Sequence, residues 1–192
     1  TEKLLDILDR YNVKATFFVT NGKPDYQNLI AQEAQRGHTV AIHSASHDYA
    51  KIYQSVDTYF ADFDEMNSII TAQTGKAADL VRFPGGSSNT ISKKYCYGIM
   101  SQLVCAVEER GFRYCDWNVS SGDAGGTTST SQVVANVIEG IKSNNVSVVL
   151  QHDIKNFSVD AVEQIIQWGL SEGYTFLPMT STTPMSHHGV NN

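Results

Sequence analysis

Short apolar, β-rich runs alternate with helix-period segments along almost the whole chain, and no other property limits the fold as strongly. Strands joined through helices of ten or more residues pair in parallel, whereas antiparallel neighbours need only tight turns. Leu4, Leu5, Ile7 and Leu8 form one apolar helical face, followed by the strand-like Ala15-Thr16-Phe17-Phe18-Val19. Pro24 opens a helix that stops near Gly37, and Thr39-Val40-Ala41-Ile42 supplies the next strand. A helix from Val56 to Thr74, with Phe60, Phe63, Ile69 and Ile70 as core contacts, leads to the strand Leu80-Val81-Arg82-Phe83. A helix from Lys94 to Arg110, stopped at Gly111, precedes a strand from Phe112 to Trp117. Ser131 to Lys142 reads as helix, Val146 to Leu150 as a buried strand, Ser158 to Ser171 as helix and Tyr174 to Leu177 as a last strand. The pattern predicts six strands and six helices, α/β in class, with a loose polar tail from Thr180.

A chain of 192 residues with 41% hydrophobic content suits one domain with a sizeable core. A formal net charge of −6, without basic clusters interleaved with aromatics, argues against a nucleic-acid partner. No apolar run reaches the length of a membrane span, and neither an initiator Met nor a signal peptide opens the chain. Cys96, Cys105 and Cys115 have neither C-x-x-C spacing nor an even count, so buried free thiols are expected.

Polar constellations fall where the expected strands end, the position at which a barrel displays its chemistry. In His43-Ser44-Ala45-Ser46-His47 the two imidazoles are four residues apart. A helical turn would put both on one face, within reach of a single metal ion; the alternative is a pair of surface histidines at a strand end. The run Arg82-Phe83-Pro84-Gly85-Gly86-Ser87-Ser88-Asn89 joins an arginine suited to a bidentate carboxylate grip to a loop whose backbone can approach a ligand. A surface salt bridge beside an ordinary turn is its plainer reading. Asp116-Trp117-Asn118-Val119-Ser120-Ser121-Gly122-Asp123 holds two carboxylates, of which Asp116 is the better candidate for a loop cap. Leu150-Gln151-His152-Asp153 sets a histidine at the tip of the most apolar strand, where a nearby carboxylate would keep it protonated as a general acid. Tyr49, Tyr53 and Tyr59 fit either a sugar platform or helix packing. His38 reads as a solvent-facing turn residue, and His187 and His188 as members of the loose tail.

Taken in order, His-Ser-x-x-His, Arg-x-Pro-Gly-Gly, a Trp-containing strand ending in Ser-Gly-Asp, and Leu-x-His, the set resembles the NodB-homology polysaccharide deacetylases, carbohydrate esterase family 4. The version from Arg82 to Asn89 most resembles bacterial peptidoglycan N-acetylglucosamine deacetylases. The resemblance implies a distorted (β/α) barrel over residues 1–179, its first strand missing from this chain, with residues 180–192 as the tail. It also implies metal-assisted hydrolysis of N-acetyl groups on N-acetylglucosamine in a polysaccharide, by a bacterial extracellular or cell-surface protein, expected to be a monomer. His43 and His47 would be ligands of a divalent metal, zinc foremost, with cobalt, manganese or nickel as substitutes. Gly85 would offer its backbone N–H to the oxyanion in a loop shaped by Pro84, and Leu150 would line the acetyl-methyl pocket. His152 would protonate the departing amine with Asp123 tuning it, and Arg82 would orient the catalytic base.

Two departures from the family pattern bear on function. Family members carry a Thr-Phe-Asp-Asp-Gly-type motif whose aspartates are the general base and the third metal ligand, and no Asp-Asp pair occurs in the 192 residues. A fragment of an active enzyme is the expectation, because loss of a first strand would expose edge hydrogen bonds and core surface. Ala124 stands where many members have a groove-forming tryptophan. Two other readings stay open: an ester-cleaving relative acting on acetylated xylan, and a pseudoenzyme that binds glycan without cleaving it.

Overall fold

A computed structural model describes residues 1–192. In chain order the elements are α1 (Glu2–Arg10), β1 (Thr16–Thr20), α2 (Asn28–Gln35), β2 (Thr39–Ser44), α3 (Tyr49–Ile52), α4 (Val56–Thr74), β3 (Leu80–Val81), α5 (Ile99–Glu109), β4 (Arg113–Tyr114), β5 (Val119–Ser120), α6 (Thr130–Lys142), β6 (Val149–Leu150) and α7 (Asn156–Ser171). Short 3-10 turns at Pro24–Tyr26 and Ile91–Lys94 precede α2 and α5. The expected helix beginning at Lys94 is therefore divided, because the 91–94 turn ends before Gly98, at φ +77°, sets the start of α5.

The chain packs as two units. One comprises Thr16–Asp116 and Met179–Asn192. Its sheet has the order β1-β2-β3-β4 with every pairing parallel, as the β/α alternation requires. In β1 and β2 the register sets Thr16 beside Thr39 and Phe18 beside Ala41. The core takes Ala41, Ile42, Leu80, Val81 and Phe83 from the strands and the residues after them, and Met100, Leu103 and Val107 from α5. α4 opens on a reciprocal cap: Ser55 Oγ accepts from the Thr58 amide at 3.1 Å, and the Ser55 amide donates to Thr58 Oγ1 at 3.0 Å. Its buried stripe is Tyr59, Asp62, Phe63, Met66 and Ile70, so Phe60 and Ile69 lie beside the stripe instead of in it. Tyr53 and Tyr59 are buried, which makes them packing residues and not a sugar platform. His38 is also buried, edge-on to Phe17 at 5.3 Å, contrary to a solvent-facing role.

The tail from Thr180 to Asn192 is held where looseness was expected. His187 stacks on Tyr114 with ring centroids 4.0 Å apart and donates from Nε2 to the Tyr114 carbonyl at 3.0 Å. Asn192 is buried; its Nδ2 donates to Ser92 Oγ at 2.7 Å and its backbone oxygen accepts from the Ser101 amide at 2.7 Å. Side-chain amides and hydroxyls read as loop composition in the sequence, but here they satisfy backbone groups at the start of α5 and around it.

The other unit comprises Thr1–Ala15 and Trp117–Pro178. Here β5 and β6 pair in parallel, Val119 beside Val149 and Ser120 beside Leu150. Val133, Val137 and Ile141, at i, i+4 and i+8 on α6, pack with Ala161 and Ile165 of α7. Residues 174–177 do not form a strand. Phe176 instead packs against this cluster, over Gly169, where a Cβ would lie 2.5 Å from its ring, while Leu177 stays 76% exposed. Aromatic content imitated a strand where the aromatic is a plug for the helix pair. No helix is long and apolar enough to cross a membrane.

Candidate active site

His43 is the penultimate residue of β2, and its Nδ1 lies 2.6 Å from the carbonyl oxygen of Arg82. A carbonyl only accepts, so Nδ1 carries the proton and Nε2 keeps its lone pair for a ligand. The His47 ring centroid is 5.1 Å from that of His43. The two are not one helical turn apart, as i,i+4 spacing suggested. The chain leaves β2 at Ser44, His47 adopts the left-handed φ of +53°, and α3 starts only at Tyr49, with Asp48 Oδ1 capping the Ala50 amide at 2.9 Å.

A residue missed in the sequence shapes this loop. Asp62 of α4 is buried; its Oδ2 accepts from Ser44 Oγ at 2.5 Å and the Ala45 amide at 2.8 Å, and its Oδ1 from the Ser46 amide at 2.9 Å. Ser44 Oγ in turn accepts from the His47 amide at 2.8 Å. Burial pushes the Asp62 carboxyl up, but the hydrogen bonds from Ser44, Ser46 and Ala45 outweigh it and leave the pKa below the usual value. The signal available was an acid set into an otherwise apolar helical stripe.

Arg82 follows β3 and is buried, which removes the surface-salt-bridge reading. Its Nε donates to the Cys115 carbonyl and its Nη2 to the Asp116 carbonyl, each at 2.9 Å, while the guanidinium lies 4.2 Å from the Phe18 ring centroid. Burial lowers its pKa, with Cys115 and Asp116 opposing. Asp116, fully buried, is a loop cap: it accepts from the Ser87 amide at 2.8 Å, Ser87 Oγ at 2.5 Å and the His188 amide at 2.9 Å. The loop it holds contains Pro84, whose carbonyl accepts from Tyr53 Oη at 2.7 Å, and Gly85 at φ +79°. A Cβ at Gly85 would sit 2.7 Å from Tyr49 Oη and 3.1 Å from Asn89 Cβ, so both conformation and space call for glycine.

In the other unit, Asp123 and His152 follow β5 and β6. His152 Nδ1 is 2.8 Å from Asp123 Oδ1, and the His152 amide donates to Asp123 Oδ2 at 2.7 Å. Ser158 Oγ, in the first turn of α7, donates to Oδ2 at 2.6 Å, and Lys155 Nζ donates to the Asp123 carbonyl. Burial would raise the Asp123 pKa, yet the hydrogen bonds from His152 and Ser158 bring it down to about 2. The carboxylate therefore stays ionised and orients the imidazole with Nε2 outward. Leu150 is half-buried, and its carbonyl accepts from the Ser121 amide at 3.2 Å.

These clusters are of the kind used in acyl hydrolysis: paired imidazoles with one tautomer set by a carbonyl, a glycine amide in a constrained loop, and a carboxylate-oriented histidine. The polysaccharide deacetylase family matches residues 1–97. The chain belongs to that family. A peptidoglycan-N-acetylglucosamine deacetylase of Bacillus cereus is 30% identical over 182 residues, which cover 92% of this chain and 63% of the relative. The catalytic domain of peptidoglycan N-acetylglucosamine deacetylase from Eubacterium rectale has a TM-score of 0.98 at 70% identity, covering all of this chain and 87% of that one. A polysaccharide deacetylase of Bacillus cereus has a TM-score of 0.83 at 29% identity, covering 97% and 88%. The chain thus spans a little under two thirds of the curated relative and shares the α/β architecture of the solved structures, as expected from the motifs.

Polysaccharide deacetylases of this family generally depend on a metal. The donor chemistry here fits two of the ligands: both are imidazoles, and His43 has its Nδ1 held by a carbonyl, which leaves Nε2 to ligate. No cluster of three or more His, Cys, Asp or Glu side chains forms among these residues. The pair thus has no third His, Cys, Asp or Glu side chain grouped with it.

Proposed function

We propose that this chain hydrolyses N-acetyl groups of N-acetylglucosamine in peptidoglycan or a related polysaccharide, at the bacterial cell surface. The observation that carries the reading is the imidazole pair His43 and His47, with the His43 tautomer set by Arg82. These two would hold a divalent ion, zinc by preference for a nitrogen-rich site. When bound, the ion supplies Lewis acidity that polarises the acetamide carbonyl and makes water easier to deprotonate.

Oxyanion stabilisation and protonation of the leaving amine fall to the chain's own groups. The Gly85 amide donates to the oxygen as its charge grows, in the loop fixed by Tyr53 and Asp116. His152 gives its Nε2 proton to the departing amine, and ionised Asp123 stabilises the imidazolium before transfer. Leu150 offers apolar surface to the acetyl methyl. Arg82, tied to the Cys115 and Asp116 carbonyls, holds the segment after β4 and would orient a base supplied from outside these residues. The family's base and third ligand come from an Asp-Asp pair, which these 192 residues do not contain. Glycan binding without cleavage is the further reading, and acetate release separates it from hydrolysis.

The test is zinc content and affinity of the purified chain against a His43→Ala, His47→Ala double variant, followed by acetate release from N-acetylglucosamine oligomers. Stoichiometric zinc that vanishes in the double variant supports the reading. A native chain without zinc withdraws the deacetylase claim for this polypeptide, and zinc with glycan binding but no acetate release selects the non-cleaving reading.

A further inference from the structure

His43 lies within β2, one residue from its end, where the register against β1 shifts, whereas His47 lies outside regular structure. It sits in the four-residue excursion between β2 and α3 with a left-handed backbone uncommon for a residue other than glycine. The holding group comes from a different element. Asp62 lies on the buried stripe of α4 and aims its carboxylate at the three residues between the histidines. Both of its oxygens are engaged: Oδ2 by Ser44 Oγ and the Ala45 amide, Oδ1 by the Ser46 amide, with Lys51 Nζ 3.9 Å from Oδ1. Through Ser44 Oγ the same carboxylate is linked to the His47 amide, at the residue whose backbone is strained.

We propose that Asp62 is the positioning residue of the histidine pair, setting the separation and aim of the two imidazoles through the Ser44–Ala45–Ser46 turn. The assignment rests on the metal-holding role of His43 and His47 given above. Other uses of the carboxylate fit the contacts less well. A helix cap is excluded because Asp62 lies in the interior of α4, and a simple ion pair because Lys51 is the most distant of its four partners. A carboxylate is needed because all three close partners donate. In an amide of the same shape one of the two positions becomes a donor facing another donor.

The experiment compares zinc affinity, by competition with a chromophoric chelator, for the native chain, Asp62→Asn, Ser44→Ala and the His43→Ala, His47→Ala double variant. Amide hydrogen exchange at Ala45, Ser46 and His47 is followed in the first three. Asp62→Asn is expected to weaken zinc roughly 10- to 100-fold, the usual cost of losing an outer partner of a ligand, and to speed exchange at Ala45 and Ser46. Ser44→Ala retains the carboxylate and removes only its link to His47, so it is expected to weaken zinc less and to expose the His47 amide. It also keeps the question answerable should Asp62→Asn fail to fold, since native affinity in Ser44→Ala would overturn the proposed linkage. Zinc lost in the histidine double variant but held with native affinity by folded Asp62→Asn overturns the positioning role alone. Zinc that persists in the histidine double variant, or is never bound, overturns the functional reading and the assignment together.

Discussion

Replacing Asp123 with asparagine tests how the carboxylate beside His152 operates, and its size can be worked from the structure. Three donors converge on Asp123: His152 Nδ1, the His152 amide and Ser158 Oγ. They hold its pKa at about 2, against about 3.9 for an aspartate in an unfolded chain. The folded value is the lower one, so the charge stabilises the fold fully above roughly pH 5 and progressively less as pH falls through 4 toward 2. Linkage puts the contribution at about 2–3 kcal/mol at pH 7 and about half that at pH 3. Urea unfolding of native and Asp123→Asn protein at both pH values should show the stability gap narrowing by about 1 kcal/mol in acid. Asparagine also rearranges the proton. Its oxygen satisfies the two donors at the Oδ2 position, so its NH2 group faces His152 Nδ1 and forces that nitrogen to accept. The imidazole ¹⁵N spectrum should then move from the Nδ1–H to the Nε2–H tautomer. A stability gap of constant size between pH 7 and pH 3, or an unchanged tautomer, would refute the reasoning.

Other substitutions probe the loops and packing. Gly85→Ala places a β-carbon at φ +79° and should lower stability by about 1–2 kcal/mol in thermal melts. Adding Tyr49→Phe should recover little of that loss, because the backbone term remains after the Oη contact is removed. Tyr53→Phe strips the Pro84 carbonyl of its buried donor and should cost about 1–3 kcal/mol by chemical denaturation, a null result showing that the carbonyl finds another partner. Gly140→Ala would gain helix propensity, but its β-carbon would meet Val119 Cγ1 at 2.4 Å, so net destabilisation of about 1–3 kcal/mol is expected. The double variant with Val119→Ala should relieve part of it, and a stabilised Gly140→Ala would contradict the packing of α6 on β5.

The parts of the fold that periodicity controls were legible: the β/α order, the parallel pairing, and the end of α5 near Gly111, whose φ is +83°. What escaped were features set by distant partners. Val119–Ser120 pairs with β6 although only two residues long, too short for any alternation to register. Tyr174 to Leu177 has strand composition, yet Phe176 is committed to the α6–α7 cluster. The motif residues were visible because their chemistry is distinctive, whereas Asp62, fifteen positions beyond His47, looks like any helical acid until its partners are seen. The rings of His43 and His47 do lie close together, but not through a helical turn, since His47 has a left-handed backbone outside any helix and its amide donates to Ser44 Oγ.

The ties on Asp116 carry a kinetic consequence. It joins the Ser87 amide, 29 residues away, to the His188 amide, 72 residues away, so the loop bearing Gly85 is completed only when the segment around His188 has returned. Closing loops of that length costs entropy before any contact rewards it, which places this region among the late events of folding. A ribosome-bound chain made only as far as Asp116 would have β1 to β4 available to pair while Asp116 still waited for His188. Order in the Gly85 loop would then report on the arrival of His188, and not on formation of the sheet beneath it.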